Sequence, residues 1–516
     1  MTAPYADALA QYAARDDRVR MYVPGHGADA QAAPALAEYF GAELLRHDVT
    51  PLLSGLDKGP GNALDEAQRL AARAWGAKRT WFLTNGASQA NRMAAIALGS
   101  FRAAEAPVLA QRSAHSSFID GIILAGLVPA FVSPTIDPVL GINHGVSPAS
   151  LRAAIERGEA RPKAVYLISP SYFGAVADVA ALAEAAHAVG APLIVDAAWG
   201  AHFGFHPALP ENPLALGADL VVSSTHKLAG SLTQSAMLHL ADGPFAAELE
   251  PLLERAFALT QSTSTSALLL ASLDLARDSI EHGEARIGSS IEAADRLREA
   301  VRSHGRFGIV SDGFGRFDDI VAVDPLRVSI DVGAAGLNGH AVRERLEHEG
   351  VSFEISTDSA VVAVLGAGAV PDVDRVVAAL HAIPAVEPAA GAATVARAGA
   401  LALPTPGPLV MRPRDAFLAP GEAVPIEQAI GRVSTDSLAA YPPGIPNVLP
   451  GERITAEVVT FLRRIAAMPG GHVRGAADPA LSVLRVVRAD HGQADADEAN
   501  ADDDVALAAA RELALS

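Results

Sequence analysis

From about Asp65 to Ala382 the chain alternates short apolar, β-rich runs with alanine-rich stretches of helical character. Thr80-Trp81-Phe82-Leu83, Val165-Tyr166-Leu167-Ile168, Leu193-Ile194-Val195 and Leu220-Val221-Val222 are of the first kind, and Val179 to Gly190 is of the second. Uniformly apolar runs of this length have no face suited to water. A helix after each strand covers the sheet and returns the chain for a parallel neighbour. The expected core is therefore an α/β fold with a mostly parallel sheet. In such sheets ligands gather beyond the carboxyl ends of the strands, so residues directly after the apolar runs are the first candidates for function.

Two of these positions carry reactive groups. Asp196 closes the run Pro192–Val195, and thirty-one residues later Lys227 ends Ser223-Ser224-Thr225-His226-Lys227, which follows Leu220–Val222. An amine framed by small hydroxyls at a strand end can form a Schiff base with pyridoxal 5'-phosphate while its neighbours bind the phosphate. A carboxylate at another strand end can hold the ring nitrogen protonated, which makes the ring an electron sink.

Other polar residues are read beside that pair. Thr84-Asn85-Gly86-Ala87-Ser88 joins an apolar run to a helix-like segment beginning near Ala90. Small residues there bare backbone N–H groups at a helix start, an anion site, or Ser88 is an ordinary helix cap. His115 can stack on the cofactor ring or serve as a polar loop residue. His226 can donate to a phosphate or to a substrate carboxylate. His202 and His206 have a spacing a metal can use, but no carboxylate or third ligand sits obviously nearby in the sequence. They read as a structural pair, and no metal is expected.

At 516 residues the chain is too long for one core, and two or three domains are expected. The divisions read as an N-terminal arm over 1–50, a large cofactor-binding domain over 51–305 and a smaller α+β domain over 306–384. A linker over 385–408, a C-terminal α+β domain over 409–488 and an acidic tail over 489–516, poor in apolar residues, complete the chain. Strand candidates in the smaller domain are Ile320–Val323, Arg327–Ile330 and Val361–Leu365. The absence of cysteine excludes thiolate chemistry, disulfides and cysteine–zinc sites. No apolar run reaches membrane-span length and no signal-peptide block opens the chain, so a cytoplasmic protein is expected. The net charge of −19 argues against a nucleic-acid partner.

In order, these motifs resemble the bacterial ornithine/lysine/arginine decarboxylases, fold-type-I pyridoxal-phosphate enzymes with an aspartate-aminotransferase-like core. Pro24-Gly25-His26-Gly27, Gly55-Leu56-Asp57, Thr84 to Ser88, His115-Ser116-Ser117 and Ser169 to Gly174 carry the likeness in the first part of the chain. Asp196-Ala197-Ala198-Trp199, Ser224 to Lys227, Thr263-Ser264 and Ser272 to Arg277 continue it. Ala423-Val424-Pro425, Tyr441 to Pro446 and Pro450-Gly451-Glu452 resemble the family's C-terminal domain, which aminotransferases of the same core lack. Two positions depart from the pattern: Ala87 stands where threonine is usual, and Ala267 where a proline is expected.

The resemblance implies pyridoxal phosphate on Lys227, paired with Asp196, stacked by His115 and flanked by Trp199. It implies a phosphate held by Gly86, Ala87, Ser88, Ser224, His226 and Ser264, the last from a neighbouring subunit. The implied reaction is decarboxylation of arginine, lysine or ornithine, arginine favoured, with Lys227 or His226 returning a proton to Cα. Glu452, and after it Glu354, would receive the substrate's distal cation. The chain lacks the N-terminal wing of the large acid-induced members, so a homodimer or tetramer is expected. An aminotransferase or lyase of the same fold, or a non-catalytic relative, are the alternatives.

Overall fold

The computed structural model describes residues 2–102, 105–158, 160–384, 404–441, 445–467 and 471–489. The chain divides into two compact units, residues 1–121 with 129–400 and residues 122–128 with 401–516. The linker expected at 385–408 lies outside the described residues as far as 403. The tail beyond 489 and Pro442-Pro443-Gly444 lie outside them too.

In the first unit one sheet is built from β1 Arg79–Leu83, β2 Val108–Gln111, β3 Pro129–Val132, β4 Ala164–Ile168, β5 Leu193–Asp196, β6 Leu220–Ser223 and β7 Ala236–Leu240. Their order is β1-β7-β6-β5-β4-β2-β3. Strands β3, β2, β4, β5 and β6 are parallel, and β7 runs against both its neighbours. The mostly parallel sheet expected from the apolar runs is present. β5 and β6 are buried along their whole length, as strands covered on both faces must be. Asp196 aligns with Ile168 on one side and Val222 on the other, which sets it at the middle of the sheet's carboxyl edge.

Helix α1, Gly86–Gly99, starts directly after β1, four residues earlier than the expected Ala90. The early start follows from Gly86, whose φ of 70° lets the chain turn at once and whose N–H donates to the Gln234 carbonyl at 2.8 Å. Helix α2, Ser116–Ala125, follows β2. The long α3, Glu284–His304, leads to a second, antiparallel sheet. Its strands are β8 Gly308–Ile309, β9 Arg327–Asp331, β10 Ile355–Ser356 and β11 Ala360–Val364, in the order β8-β9-β11-β10. The strand expected at Ile320–Val323 shrinks to Ala322–Val323, and it pairs with Ala175–Val176 instead of joining this sheet.

The second unit has its own apolar core. Helix Ala456–Ala466 sets Val458, Phe461, Leu462 and Ile465 on one face, at the i, i+3, i+4, i+7 spacing of an amphipathic helix. They pack with Ile426, Leu438, Val448 and Leu484. No described helix is long and apolar enough to cross a membrane.

Gly174 ties the Ser169–Gly174 turn to the start of β9. Its φ is 89°, and a Cβ there would stand 2.8 Å from Arg327 Cβ. Gly174→Ala is expected to destabilise the protein by about 1–3 kcal/mol through backbone strain alone, with Arg327 displaced in addition. Chemical denaturation of the variant beside the parent protein checks this.

Candidate active site

Asp196 is a buried carboxylate at the end of β5, and neutral donors surround it. Its Oδ2 accepts from Tyr166 Oη of β4 at 2.6 Å and from Asn91 Nδ2 of α1 at 3.0 Å; its Oδ1 accepts the Ala198 N–H at 3.1 Å. Asn91 Nδ2 also donates to Ser117 Oγ at 3.0 Å, and that hydroxyl lies 2.8 Å from His115 Nδ1. The Ser117 N–H donates to the same ring nitrogen at 3.2 Å. A continuous hydrogen-bonded path thus runs from the exposed His115 through Ser117 and Asn91 to Asp196 and Tyr166. Burial, and then the Asp196 charge, hold the Tyr166 phenol well above its ordinary pKa, so it remains a donor.

Lys227 lies one turn beyond β6, in the short helix Thr225–Leu228, its own N–H bonded to the Ser224 carbonyl at 2.9 Å. Its Nζ sits 3.8 Å from the centre of the Trp199 ring. The same ring carries the Arg327 guanidinium, with Cζ at 4.4 Å, while Tyr172 meets it edge-on at 5.8 Å. Burial pushes the Lys227 ammonium down to about 8; Arg327 pushes the same way, and Asp196 and Glu354 oppose it. Burial and then Lys227 lower the His226 imidazole, and Glu354 opposes this. The exposed Glu354 therefore acts electrostatically on Lys227, His226 and Arg327 together.

The amides of Gly86, Ala87 and Ser88 form the first turn of α1. Asn85 holds the cap position without a side-chain bond, so Ser88 is not the cap. Gln234 fixes this turn through its carbonyl and through Nε2, which donates to Asn85 Oδ1 at 3.1 Å. Gln89 Nε2 donates to Gln261 Oε1 at 2.7 Å, and Gln261 Nε2 to Thr265 Oγ1 at 3.1 Å, which anchors the loop carrying the exposed Ser264 close to the same turn. Ser224 is buried at the start of the lysine's helix.

Glu452 belongs to the second unit, where it is buried and its Oε2 accepts the Leu449 N–H at 2.9 Å. His202 and His206 do not act as a pair. His202 Nε2 lies 2.9 Å from Asp324 Oδ1, so a carboxylate does stand beside it, supplied from 122 residues away. His206 instead caps its own turn, accepting the Ala208 N–H at 3.0 Å. Among the described residues no group of three or more His, Asp or Glu side chains is placed to hold a metal.

Asn91, Tyr166 and Arg327 escaped the reading of the sequence as site residues. The available signal was burial: a phenol in a fully apolar strand, an amide in an alanine-rich helix and a guanidinium opening a buried strand each require partners. Tyr166→Phe, which removes the 2.6 Å bond to a charged acceptor, is expected to cost about 1.5–3 kcal/mol of stability. Denaturation of this variant measures it.

Comparison with known proteins identifies the family. A family profile described as Orn/Lys/Arg decarboxylase, major domain, matches residues 3–371, and one described as Orn/Lys/Arg decarboxylase, C-terminal domain, matches residues 403–473. The chain is 33% identical over 497 residues to the arginine decarboxylase of Bacillus subtilis (strain 168), covering 94% of this chain and 98% of that one. It is 32% identical over 496 residues to the arginine decarboxylase of Halalkalibacterium halodurans, covering 92% and 96%. Among solved structures, lysine decarboxylase A from Pseudomonas aeruginosa matches with a TM-score of 0.79 at 23% identity, over 94% of this chain and 80% of that one, a likeness of fold. By sequence over nearly its whole length, and by fold, the chain belongs to the Orn/Lys/Arg decarboxylase family.

Proposed function

We propose that the protein decarboxylates a basic amino acid, arginine foremost, to the corresponding amine and CO2, with pyridoxal phosphate carried on Lys227. The observation that carries this reading is the Lys227 amine, lowered to about 8 and held over Trp199 in electrostatic range of Asp196. The side chains present suit that cofactor: an amine of reduced basicity, a carboxylate held by neutral donors, an exposed imidazole and the bare amides of a helix start. Bound there, pyridoxal phosphate supplies an electron sink for the breaking Cα–carboxylate bond.

Lys227, unprotonated in appreciable fraction near neutral pH, serves as the nucleophile toward a carbonyl. Asp196, with Tyr166 and Asn91 fixing its orientation, would accept a hydrogen bond from a protonated ring nitrogen. His115 would pack on the ring face. The N–H groups of Gly86, Ala87 and Ser88, with Ser224, His226 and Ser264, would hold the phosphate. Trp199 covers Lys227 and keeps water from it. Once CO2 has left, Lys227 or His226 delivers the proton to Cα. The homo-oligomeric working form is supported by exposed apolar side chains on the N-terminal segment, among them Val19 at 86%, Met21 at 89% and Tyr39 at 82%.

Arginine is favoured because the two relatives cited above at 32–33% identity are arginine decarboxylases. The test is mass spectrometry of the amines formed when the full-length, cofactor-loaded protein meets arginine, lysine and ornithine separately. Agmatine is the expected product, and Lys227→Ala is expected to reduce its formation by at least about 10³-fold. An oxo-acid in place of an amine would replace this reading by an aminotransferase.

For the substrate's distal cation, Glu354 has the support of its electrostatic contact with Lys227, and Glu452 that of its Pro-Gly-Glu motif. Glu354→Gln is expected to raise KM for arginine about tenfold, with kcat changed less. Steady-state kinetics of Glu354→Gln and Glu452→Gln side by side decide which carboxylate serves.

A further inference from the structure

We propose that Asp324, oriented by His202, is a positioning residue that acts on Lys227 through Arg327 and Trp199. The proposal rests on the reading of Lys227 as the reactive amine. It starts from a buried set of charges that the mechanism above does not use.

Asp324 and Arg327 have no exposed side-chain surface. Asp324 Oδ1 accepts from His202 Nε2 at 2.9 Å and from the Leu326 N–H at 3.0 Å. Asp324 Oδ2 lies 3.6 Å from Arg327 Nη2, beyond a hydrogen bond, and has no donor of its own. Arg327 Nη1 donates to the Tyr172 carbonyl at 2.9 Å, while Nε and Nη2 have no hydrogen-bond partner. The guanidinium instead faces the Trp199 ring that also carries Lys227. Arg298 of α3 grips the backbone on either side, donating to the Pro325 carbonyl at 2.7 Å and to that of Arg327 at 2.9 Å.

An ion pair serving stability alone would close into the two-pronged arginine–carboxylate fork, because buried donors without partners are costly. Here His202 and the Leu326 N–H hold the carboxylate turned away, and the gap stays open. Arg327 is therefore held between the carboxylate and the indole face, with its charge acting on the amine beyond. The charged groups acting on Lys227 are Asp196 at the end of β5, Arg327 at the start of β9 and Glu354 before β10, with His226 on the lysine's own helix. Asp324 favours the charged form of Arg327, as does Glu354, and so helps hold the guanidinium in place. Without the Asp324 charge the guanidinium loses that hold and settles closer to the indole and the amine, and without Arg327 nothing is left for Asp324 to place.

The experiment follows acetylation of Lys227 by trace acetic anhydride against pH, read by peptide mass spectrometry on the full-length protein freed of cofactor. Asp324→Asn is expected to move the midpoint down by about half a pH unit. Arg327→Met moves it up by a similar amount, and the double variant matches Arg327→Met alone. An unmoved midpoint in Asp324→Asn, or an equal shift in the Arg327→Met background, overturns the proposal. Where Asp324→Asn fails to fold, Arg327→Met decides, and a midpoint equal to the parent's overturns the relay. Borohydride reduction of the cofactor-loaded parent, followed by peptide mapping, separately tests attachment at Lys227. Label found elsewhere refutes the functional reading while leaving the titration of Lys227 to judge the relay.

Discussion

One buried carboxylate organises the centre of this molecule. Asp196 ends a strand buried along its length, where a charge without partners would cost several kcal/mol. The structure meets that demand with a phenol from β4, an amide from α1 and a backbone N–H from its own loop. Each donor belongs to a different element, so the acceptor holds a strand, a helix start and a loop at one point. Through Ser117 the same bonds reach the start of α2 and His115, and the stacking of Phe118 on Tyr166 at 3.6 Å fastens that helix to the strand.

Lys227 is treated in the opposite way. The carboxylate is held by three donors, whereas the amine is set over an indole face in a largely buried position. Both arrangements suit the proposed chemistry, in which a carbonyl-directed nucleophile would gain from reduced basicity and a ring-nitrogen partner from fixed position. A fold of this type hosts many reactions. Family membership is what singles out amino-acid decarboxylation.

How much of this could be read along the chain varies with the distance between partners. Asp196 and Lys227 were readable because each follows an apolar run, and the strand-end rule needs no knowledge of the neighbouring strand. The turn at Gly86 was readable from its small residues, though the helix start depended on Gln234, far away in sequence. His202 shows the opposite limit. Its spacing to His206 suggested a local pair, whereas its actual partner, Asp324, lies 122 residues downstream. Arg327 and Tyr166 looked like strand residues until the carboxylates beside them were visible.

The sequence by itself determined where apolar runs end, which reactive side chains stand at those ends and which family pattern they compose. Such features depend on a few neighbouring residues and on backbone geometry with a short period. Tertiary structure alone decided that Tyr166 and Asn91 meet Asp196, that Lys227 and Arg327 share one indole, and that Glu354 acts on both. Those meetings depend on strand order and register, where one exchanged neighbour or a slip of one residue sends a side chain to the other face of the sheet.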